Sequence, residues 1–593
     1  MNAYRKPDNL RWKLKTAAFK KMICLQDRFG LYSYHRWIDE NELSSKHLAK
    51  QSFQVKTFKN KPVFVFLIPF DEESHDDLIY TYRAIKEQTY SYWNVHIISK
   101  STHIYEVAEL EGDTRVNIQL LTPDTEVNQA TVAATESAKG DYLIVAKPGD
   151  VPAPNLLFEA AESLQNNSKH DIVYYDEDYL GTGEGERLEP FFKPDWSPEL
   201  MISINYLIHA AFRIDLFVEI IHQTGSDPIR GYGDLTFRAT ESASKIHHIP
   251  EVLYHKRTRY EIPSQADLLT HCRNVEGHLT RQGISDPRAN LVKDNHVRVS
   301  WPVPKVTVSI IIPTKDNLEY LQTCIRSILQ FTKSATYEII LIDSGSQEEQ
   351  THKYYAEITK KSNIQLISYN CGDNFNFNTA LNLGASHSQG EILLFLNNDT
   401  EILDSEWFDE MVRWAARPEV GIVGAKLLYP NHTIQQAGIV IGMEGHASHV
   451  FAGIEEGYQG PFGSVSWYRN YSAVTGACMA IRRQVFEQVG GFDEDYTLVF
   501  SDVQFCLQVI EAGYRVVYTP YARLIHHEGQ SRFSYIPDKD IQLAYSHFKH
   551  IVKKGDPYYN PNLSHAVRIP TFKRKNEEVP LERLEKIVSD TNN

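Results

Sequence analysis

Gly390-Glu391-Ile392-Leu393-Leu394-Phe395-Leu396-Asn397-Asn398-Asp399-Thr400 is the stretch on which the reading of this chain turns. Five apolar residues in a row after Gly-Glu read as a fully buried strand, parallel to its neighbours and covered on both faces. The run stops at two Asn and an Asp. In open α/β sheets, ligands bind just beyond the carboxyl ends of the strands, so this polar tip points at a site. Asp399 offers a hard oxygen donor suited to Mg²⁺ or Mn²⁺, ions that take one or two carboxylates and complete their shell with substrate phosphates. The competing reading is local: an Asn or Asp capping a helix that follows the strand.

Strands and helices alternate on both sides of that stretch. Val306 to Ile312 reads as a strand ending in Pro313-Thr314-Lys315-Asp316, and Leu318 to Thr332 as a helix. Glu338 to Ile342 is a strand that ends in Asp343-Ser344-Gly345-Ser346, and Thr379 to Ser386 is a helix leading into the opening strand. The earlier half shows the same alternation from Val63-Phe64-Val65-Phe66-Leu67-Ile68 to about Arg257, which predicts a parallel sheet in each half. The expected organisation is therefore an N-terminal helical segment (1–60), a first α/β domain (61–257), a linker (258–304), a second α/β domain (305–535), and a C-terminal helix and tail (536–593). Trp301-Pro302-Val303-Pro304 makes a stiff, non-helical end to the linker. The last twenty residues are charged and expected to be loose.

The totals narrow the function class. The chain has 593 residues, 42% of them hydrophobic and 23% charged, ordinary for a protein of several packed domains. A net charge of −15 leaves no cationic excess to neutralise phosphates, which argues against nucleic-acid binding. Six Cys with no C-x-x-C pair suggest reduced thiols in a cytoplasmic setting. No apolar run is long enough to cross a bilayer. Residues 1–30 are basic, with Leu10, Trp12, Leu14, Phe19 and Met22 interspersed. They read either as peripheral contact with the inner face of the cell membrane or as a solvated helix packed on the next domain.

The two α/β halves repeat each other. Gly140 to Gly149 lies over Gly390 to Asp399 residue for residue, so the strand is kept while Gly149 stands at the place of Asp399 and Lys147 at that of Asn397. His248-Ile249-Pro250 lies over Tyr518-Thr519-Pro520, and Gly233-Asp234 over Ser501-Asp502. One working metal site is expected, in the second half. The first half reads as a degenerate copy serving as scaffold, acceptor surface or dimer surface, with Asp234 the reason not to call it inert.

A series of motifs runs in order through the second domain: Ile311-Ile312-Pro313-Thr314 with Asp316, Ile342-Asp343-Ser344-Gly345-Ser346, Ala380-Leu381-Asn382-Leu383-Gly384, Asn397-Asn398-Asp399, Thr475-Gly476-Ala477-Cys478, Gly490-Gly491-Phe492-Asp493, Ser501-Asp502, and His526-His527-Glu528-Gly529-Gln530-Ser531. Through this series the domain resembles the inverting nucleotide-sugar transferases of glycosyltransferase family two, with the GT-A fold. The first domain looks like the partner domain of tandem bacterial polysaccharide and O-antigen transferases, through Tyr175-Asp176-Glu177-Asp178 and Phe192-Lys193-Pro194-Asp195-Trp196-Ser197-Pro198. The implied fold is two Rossmann-like GT-A domains in tandem.

The resemblance implies roles. Asp399 and His527 become the Mg²⁺ or Mn²⁺ ligands, His527 because the family's His precedes a Ser by four positions, as here Ser531; His526 is the runner-up, and a hydrogen-bonded loop pair is the plain alternative. Asn397, where the family often has an acid, can coordinate through its amide oxygen. Asp502 matches the family's general base, or caps the helix that follows. Pro313, Thr314, Asp316, Asp343, Asn382, Asn397 and Asn398 fall on the donor side, with Asp343 accepting from a uracil or thymine ring N–H or else forming a structural turn. Trp467, Gly476 and Ala477 fall on the acceptor side.

The expected function is sugar transfer from a UDP- or dTDP-sugar, rhamnose or a hexose, to a growing cell-surface glycan, plausibly lipid-linked. The alternative is a non-catalytic glycan- or nucleotide-binding protein, or a scaffold in a polysaccharide assembly complex. Homo-oligomerisation stays open.

Overall fold

The computed structural model describes residues 21–22 and 32–591, apart from 71–74, 123, 166–168, 184, 224–226, 258–263, 334–335, 371–374 and 528–536. The basic segment 1–30 therefore lies outside the described residues except for Lys21 and Met22, and so does Ser531. The chain divides into two units. One comprises Tyr32–Trp196 and Ile204–Val299; the other comprises Ser300–Asn593 together with Ser197–Ser203.

In the first unit the main strands are β1 (Phe64–Phe70), β2 (Trp93–Ser99), β3 (Val116–Leu120), β4 (Tyr142–Val145), β5 (Val151–Pro152), β6 (Ile172–Leu180), β7 (Ala211–Arg213) and β8 (Ile246–Lys256). They lie in the order β3-β2-β1-β4-β7-β6-β8-β5. The second unit has β9 (Val308–Thr314), β10 (Tyr337–Asp343), β11 (Ile364–Ser368), β12 (Ile392–Leu396), β13 (Thr400–Ile402), β14 (Val420–Leu428), β15 (Cys478–Arg482) and β16 (Arg515–His526). Their order is β11-β10-β9-β12-β15-β14-β16-β13, the first unit's path strand for strand. The expected wholly parallel sheet is corrected to a mixed one. β9 pairs parallel with β10 and β12, but β12 then pairs antiparallel with β15, and β13 antiparallel with β16.

The opening stretch does what its composition requires. Ile392 to Leu396 are each at most 1% exposed, and burying a Leu, Ile or Phe contributes about 1.5–3 kcal/mol relative to leaving it in water. The helix Leu318–Phe331 buries Leu321, Cys324, Ile325 and Ile328, a stripe at spacings of three and four that lies on the sheet. The helix Phe377–Ser386 is capped by Asn376, whose side chain accepts from the N–H groups of Asn378 and Thr379. It packs so close to β9 that a side chain at Gly384 would collide with Ile311. That helix aims the chain into β12.

Two stretches depart from expectation. The linker 258–304, read as helical to Asp294 and extended from Val297, holds the helix Gln265–Arg281 and the paired strands Arg288–Leu291 and Val297–Ser300, but up to Val299 it groups with the first unit. The tail, read as loose, forms the helix Pro580–Thr591, with Leu584 fully buried against the second unit's core. Apolar residues Leu581, Leu584, Ile587 and Val588 recur at helical spacing between the charges. That period outweighs their number. The second unit also takes in Ser197–Ser203. Ser197 donates its hydroxyl to Asn470 Oδ1 at 2.9 Å, and Arg515 forks onto the buried Glu199 at 2.8 Å.

Candidate functional site

The site of the second unit is built where β12 and β16 end. β12 breaks at Asn397, and the chain turns through Asn398 and Asp399 straight into β13, so Asp399 caps no helix. β13 pairs with the end of β16, placing Thr400 opposite His526. His526 is buried, and its Nε2 lies 3.1 Å from Asp399 Oδ1 and 3.3 Å from the Asn397 amide. On the far side of the ring, Nδ1 lies 2.7 Å from Gln435 Oε1. An amide oxygen can only accept, so it holds the ring proton on Nδ1 and turns the Nε2 lone pair toward Asp399. A lone pair and a carboxylate at that distance need a proton or a cation between them.

The donor set fits a divalent cation. Two ligands at about 2.1 Å from an octahedral ion stand about 3.0 Å apart, close to the observed separation. The Nδ1 partner is the kind of support that metal-ligating His residues receive. Among the described residues, no three His, Cys, Asp or Glu side chains converge on one point. The set is one carboxylate, one imidazole and one amide, of the kind that substrate phosphates complete.

His527, the expected ligand, faces elsewhere. Adjacent residues of a strand point to opposite faces. The His527 imidazole lies 3.3 Å from Glu401 and 5.4 Å from the Tyr320 ring, while only its backbone N–H reaches the Asp399 carbonyl. The imidazole brought to Asp399 is that of His526, the runner-up. Cys324 sits beside the same tip, 3.7 Å from the Asn397 carbonyl. Burial pushes its thiol up to about 12, so it packs as a neutral donor and not as a nucleophile.

Asp502 stands in the first turn of the helix Ser501–Glu511 and is half-buried. Its Oδ2 accepts the Gly476 N–H at 3.0 Å and its Oδ1 the Val503 N–H at 2.9 Å. Asn397, His526, Gly476, Ala477 and Asp502 line a single cleft of about 210 Å³. The residue before the helix, Phe500, has φ +67°, a value bulky side chains rarely hold. The cleft thus is lined by an imidazole, an amide and a carboxylate.

At the neighbouring strand tips, β9 and β10 run in register with Thr314 beside Asp343, and Asn398 donates to the Thr314 hydroxyl at 3.2 Å. Thr314, Asp343 and Asn398 therefore come together, with Pro313 buried in β9. Asp343 Oδ1 accepts the Ser346 N–H at 3.0 Å and its hydroxyl at 2.6 Å, so the structural turn is present at that oxygen. Asp316 Oδ1 accepts the N–H groups of Gln347 and Glu348, tying the two tips together ahead of the helix Glu349–Ile358.

Two expected contacts are used elsewhere. Asn382 donates to the Phe492 carbonyl and to Glu494 and accepts the Phe492 N–H, so its amide holds the Gly491–Glu494 turn and not a donor. Trp467 is buried, and its ring packs with the Arg469 guanidinium at 5.6 Å and against Gly463, away from the cleft walls. Gln435, Glu401 and His449, which lines the cleft with its Nδ1 3.0 Å from the Gln435 carbonyl, escaped the sequence reading. Gln435 had a signal: Gln435-Gln436 lies inside the apolar run Ile434 to Ile441, and a buried amide pair needs a polar partner.

The first unit shows what the same tip becomes without these residues. With Gly149 over Asp399, Val151 lies over Glu401; Val151 pairs with His255 as Glu401 pairs with Ile525. Lys256 therefore occupies the place of His526, and Arg257 that of His527. Lys256 ion-pairs with the buried Glu177, and Arg257 with Asp77. Gly149 has φ +92°, and a side chain there would meet Arg257 Cδ at 2.6 Å. Asp234, opposite Asp502, is bound by Arg238 and Arg281, each at 3.2 Å, and by the Arg230 N–H.

Residues 309–490 match the family model Glycosyl transferase family 2. The chain is 35% identical over 554 residues to the O-antigen biosynthesis protein RfbC of Myxococcus xanthus, covering 90% of this chain and 43% of that one. It is 33% identical over 540 residues to the uncharacterized protein y4gI of Sinorhizobium fredii, covering 86% and 58%. It is 26% identical to the O-antigen chain rhamnosyltransferase RfbN of Salmonella typhimurium, covering 40% and 69%. The chain spans about half the length of the first two. Among the described residues, no helix is long and apolar enough to cross a membrane.

Proposed function

We propose, starting from the match of residues 309–490 to glycosyl transferase family 2, that the second unit transfers a sugar from a nucleoside-diphosphate donor to a hydroxyl of a glycan acceptor. The observation that carries this reading is that His526, held between Asp399 and Gln435, lines the same cleft as Asp502. Asp399 and His526 would hold Mg²⁺ or Mn²⁺, with Asn397 turning its amide oxygen inward. This replaces His527 as the imidazole ligand. When bound, such an ion offsets the charge that develops on the leaving diphosphate.

The protein's own groups do the rest. Asp502 takes the proton from the acceptor hydroxyl as that oxygen bonds to the anomeric carbon. The bond from that carbon to the diphosphate oxygen breaks in the same displacement, and nucleoside diphosphate leaves. One displacement from the face opposite the leaving group inverts the centre. The Gly476 N–H, donating to Oδ2 at 3.0 Å, orients the Asp502 carboxylate. Asp343 and Thr314 stand at the strand tips where the nucleoside base would lie. Uridine and thymidine diphosphate donors both fit, and a rhamnosyl donor draws support from the name of one relative. A surface glycan as acceptor, with work at the cytoplasmic membrane face, draws on the O-antigen relatives.

The test is a screen of UDP- and dTDP-sugars for Mn²⁺-dependent release of nucleoside diphosphate, with Asp502→Asn as control. Release by the native protein that the variant lacks supports the reading. Equal release by both places the chemistry elsewhere.

A further inference from the structure

We infer that Asp540 is a positioning residue for the Asp502 base, an inference that rests on the function proposed above. The segment from Gly490 to Phe500 connects the helix Arg483–Val489 to the helix that carries Asp502, and Leu498, Val499 and Phe500 line the cleft. Its backbone N–H groups need acceptors. Three in succession share one carboxylate: Thr497 donates to Asp540 Oδ1 at 2.8 Å, and Leu498 and Val499 donate to Oδ2 at 2.8 and 2.9 Å. Asp540 is fully buried in the first turn of the helix Asp538–Lys554. Successive amides gathered on one anion make a rigid nest.

The same helix braces the segment at two more points. His547 Nδ1 lies 2.9 Å from the Tyr496 hydroxyl, and the Phe548 ring meets Phe500 edge-on at 6.1 Å. Phe500 holds its left-handed φ immediately after the three clamped amides and two residues before Asp502. A bulky residue keeps that conformation only where its surroundings fix it. Without the Asp540 carboxylate the three amides lose their acceptor and Phe500 is free to relax. Asp502 then drifts from the Gly476 N–H. Asparagine cannot replace it, because its NH₂ would face an N–H where an oxygen now accepts. Asp540 also lies beyond residues 309–490, the span of the family match. In the sequence it is the one acid in the buried stripe Asp540, Ala544, Phe548, Val552.

The experiment compares Asp540→Asn and Asp540→Glu with the native full chain by two readouts. The first is hydrogen exchange of residues 496–503. The second is kcat and KM for Mn²⁺-dependent release of nucleoside diphosphate from the best UDP- or dTDP-sugar of the screen. Expected are faster exchange at 497–499 spreading to Asp502, and kcat lower by ~10- to 100-fold with donor KM within about twofold, as a misplaced catalytic group produces. Native kcat in a folded variant with loosened amides overturns the inference, as does unchanged exchange. If Asp540→Asn does not fold, Asp540→Glu carries the same two readouts. A native protein inactive on every donor defeats the proposed function instead, and the exchange result still decides whether Asp540 holds the segment.

Discussion

The two halves of this chain lay eight strands in the same order, yet among the described residues only one of them ends its central strands in groups that can share a cation. In the second half, Asp399 and His526 face each other with Gln435 behind the imidazole. In the first, Gly149 and Lys256 hold the places of Asp399 and His526, with Arg257 at that of His527, and each cation is already paired with an acid. The strands themselves are equally buried: Leu143 and Ile144 are as inaccessible as Leu393 and Leu394. The core of an α/β sheet and the residues at its strand tips are thus under separate constraints, and a tip can be emptied of chemistry without cost to packing.

The sharpest way to break this comparison is to remove the opposed acids. Asp502→Asn is expected to lower sugar transfer by about 10²–10⁴-fold, the range for loss of a general base. Asp234→Asn is expected to leave transfer unchanged but to destabilise the first unit by about 3 kcal/mol, because Arg238 and Arg281 lose a buried partner. Initial rates and urea unfolding check the pair; an active Asp502→Asn would dissolve the contrast.

Next come the imidazole and its support. Gln435→Leu is expected to weaken Mn²⁺ binding in the presence of UDP by about 10- to 100-fold, as loss of a partner behind a ligating His does. His526→Ala should weaken it at least as much and His527→Ala far less, since His527 faces Glu401. Titration calorimetry ranks the three, and a larger effect from His527 would restore the sequence-based assignment.

The converse test tries to rebuild the lost site. Gly149→Asp places a carboxylate where Asp399 stands, but at φ +92° and against Arg257. The expected result is a loss of about 1–3 kcal/mol and no new Mn²⁺ binding. A second bound Mn²⁺ would mean that Lys256 and Arg257 can move aside.

The smallest effect concerns one strand position that differs between the halves. Lys426 in β14 stands where β6 has Asp176; Asp176 bonds His248 at 2.9 Å, whereas Lys426 is buried 3.7 Å from Glu456. Burial outweighs Glu456 and lowers the Lys426 pKa to about 8. The unfolded chain then holds this proton more tightly than the folded one, so the lysine's contribution to stability rises with pH from about 8 toward the free-lysine value near 10.4. In urea unfolding across that window, native protein should gain on Lys426→Met. A flat difference would show that Lys426 titrates normally.

How far the sequence led can be read from single residues. The apolar run at Ile392 and the Asn-Asn-Asp after it located the strand and its tip, because burial and polarity are properties of composition. The choice between His526 and His527 was not legible. It depends on which face of β16 each ring takes, and that follows from the pairing with Thr400. Asn382 and Trp467 were misplaced for a related reason: an amide or an indole reads the same in sequence whether it meets a substrate or its own fold. Gln435 and Asp540 act from segments far away in the chain, so only the folded chain shows what they touch.

The Ser197–Ser203 excursion makes the duplication asymmetric in a way that bears on how such chains can be recombined. Ser197 and Glu199 belong to the earlier half by position, yet they satisfy Asn470 and Arg515 in the later one. A chain started at residue 300 would leave Arg515 with only its longer contact to Glu419, 3.4 Å away, and would strip Asn470 of its hydroxyl partner. The later half is therefore not a detachable cassette, and swapping it between relatives requires the seven donated residues to travel with it.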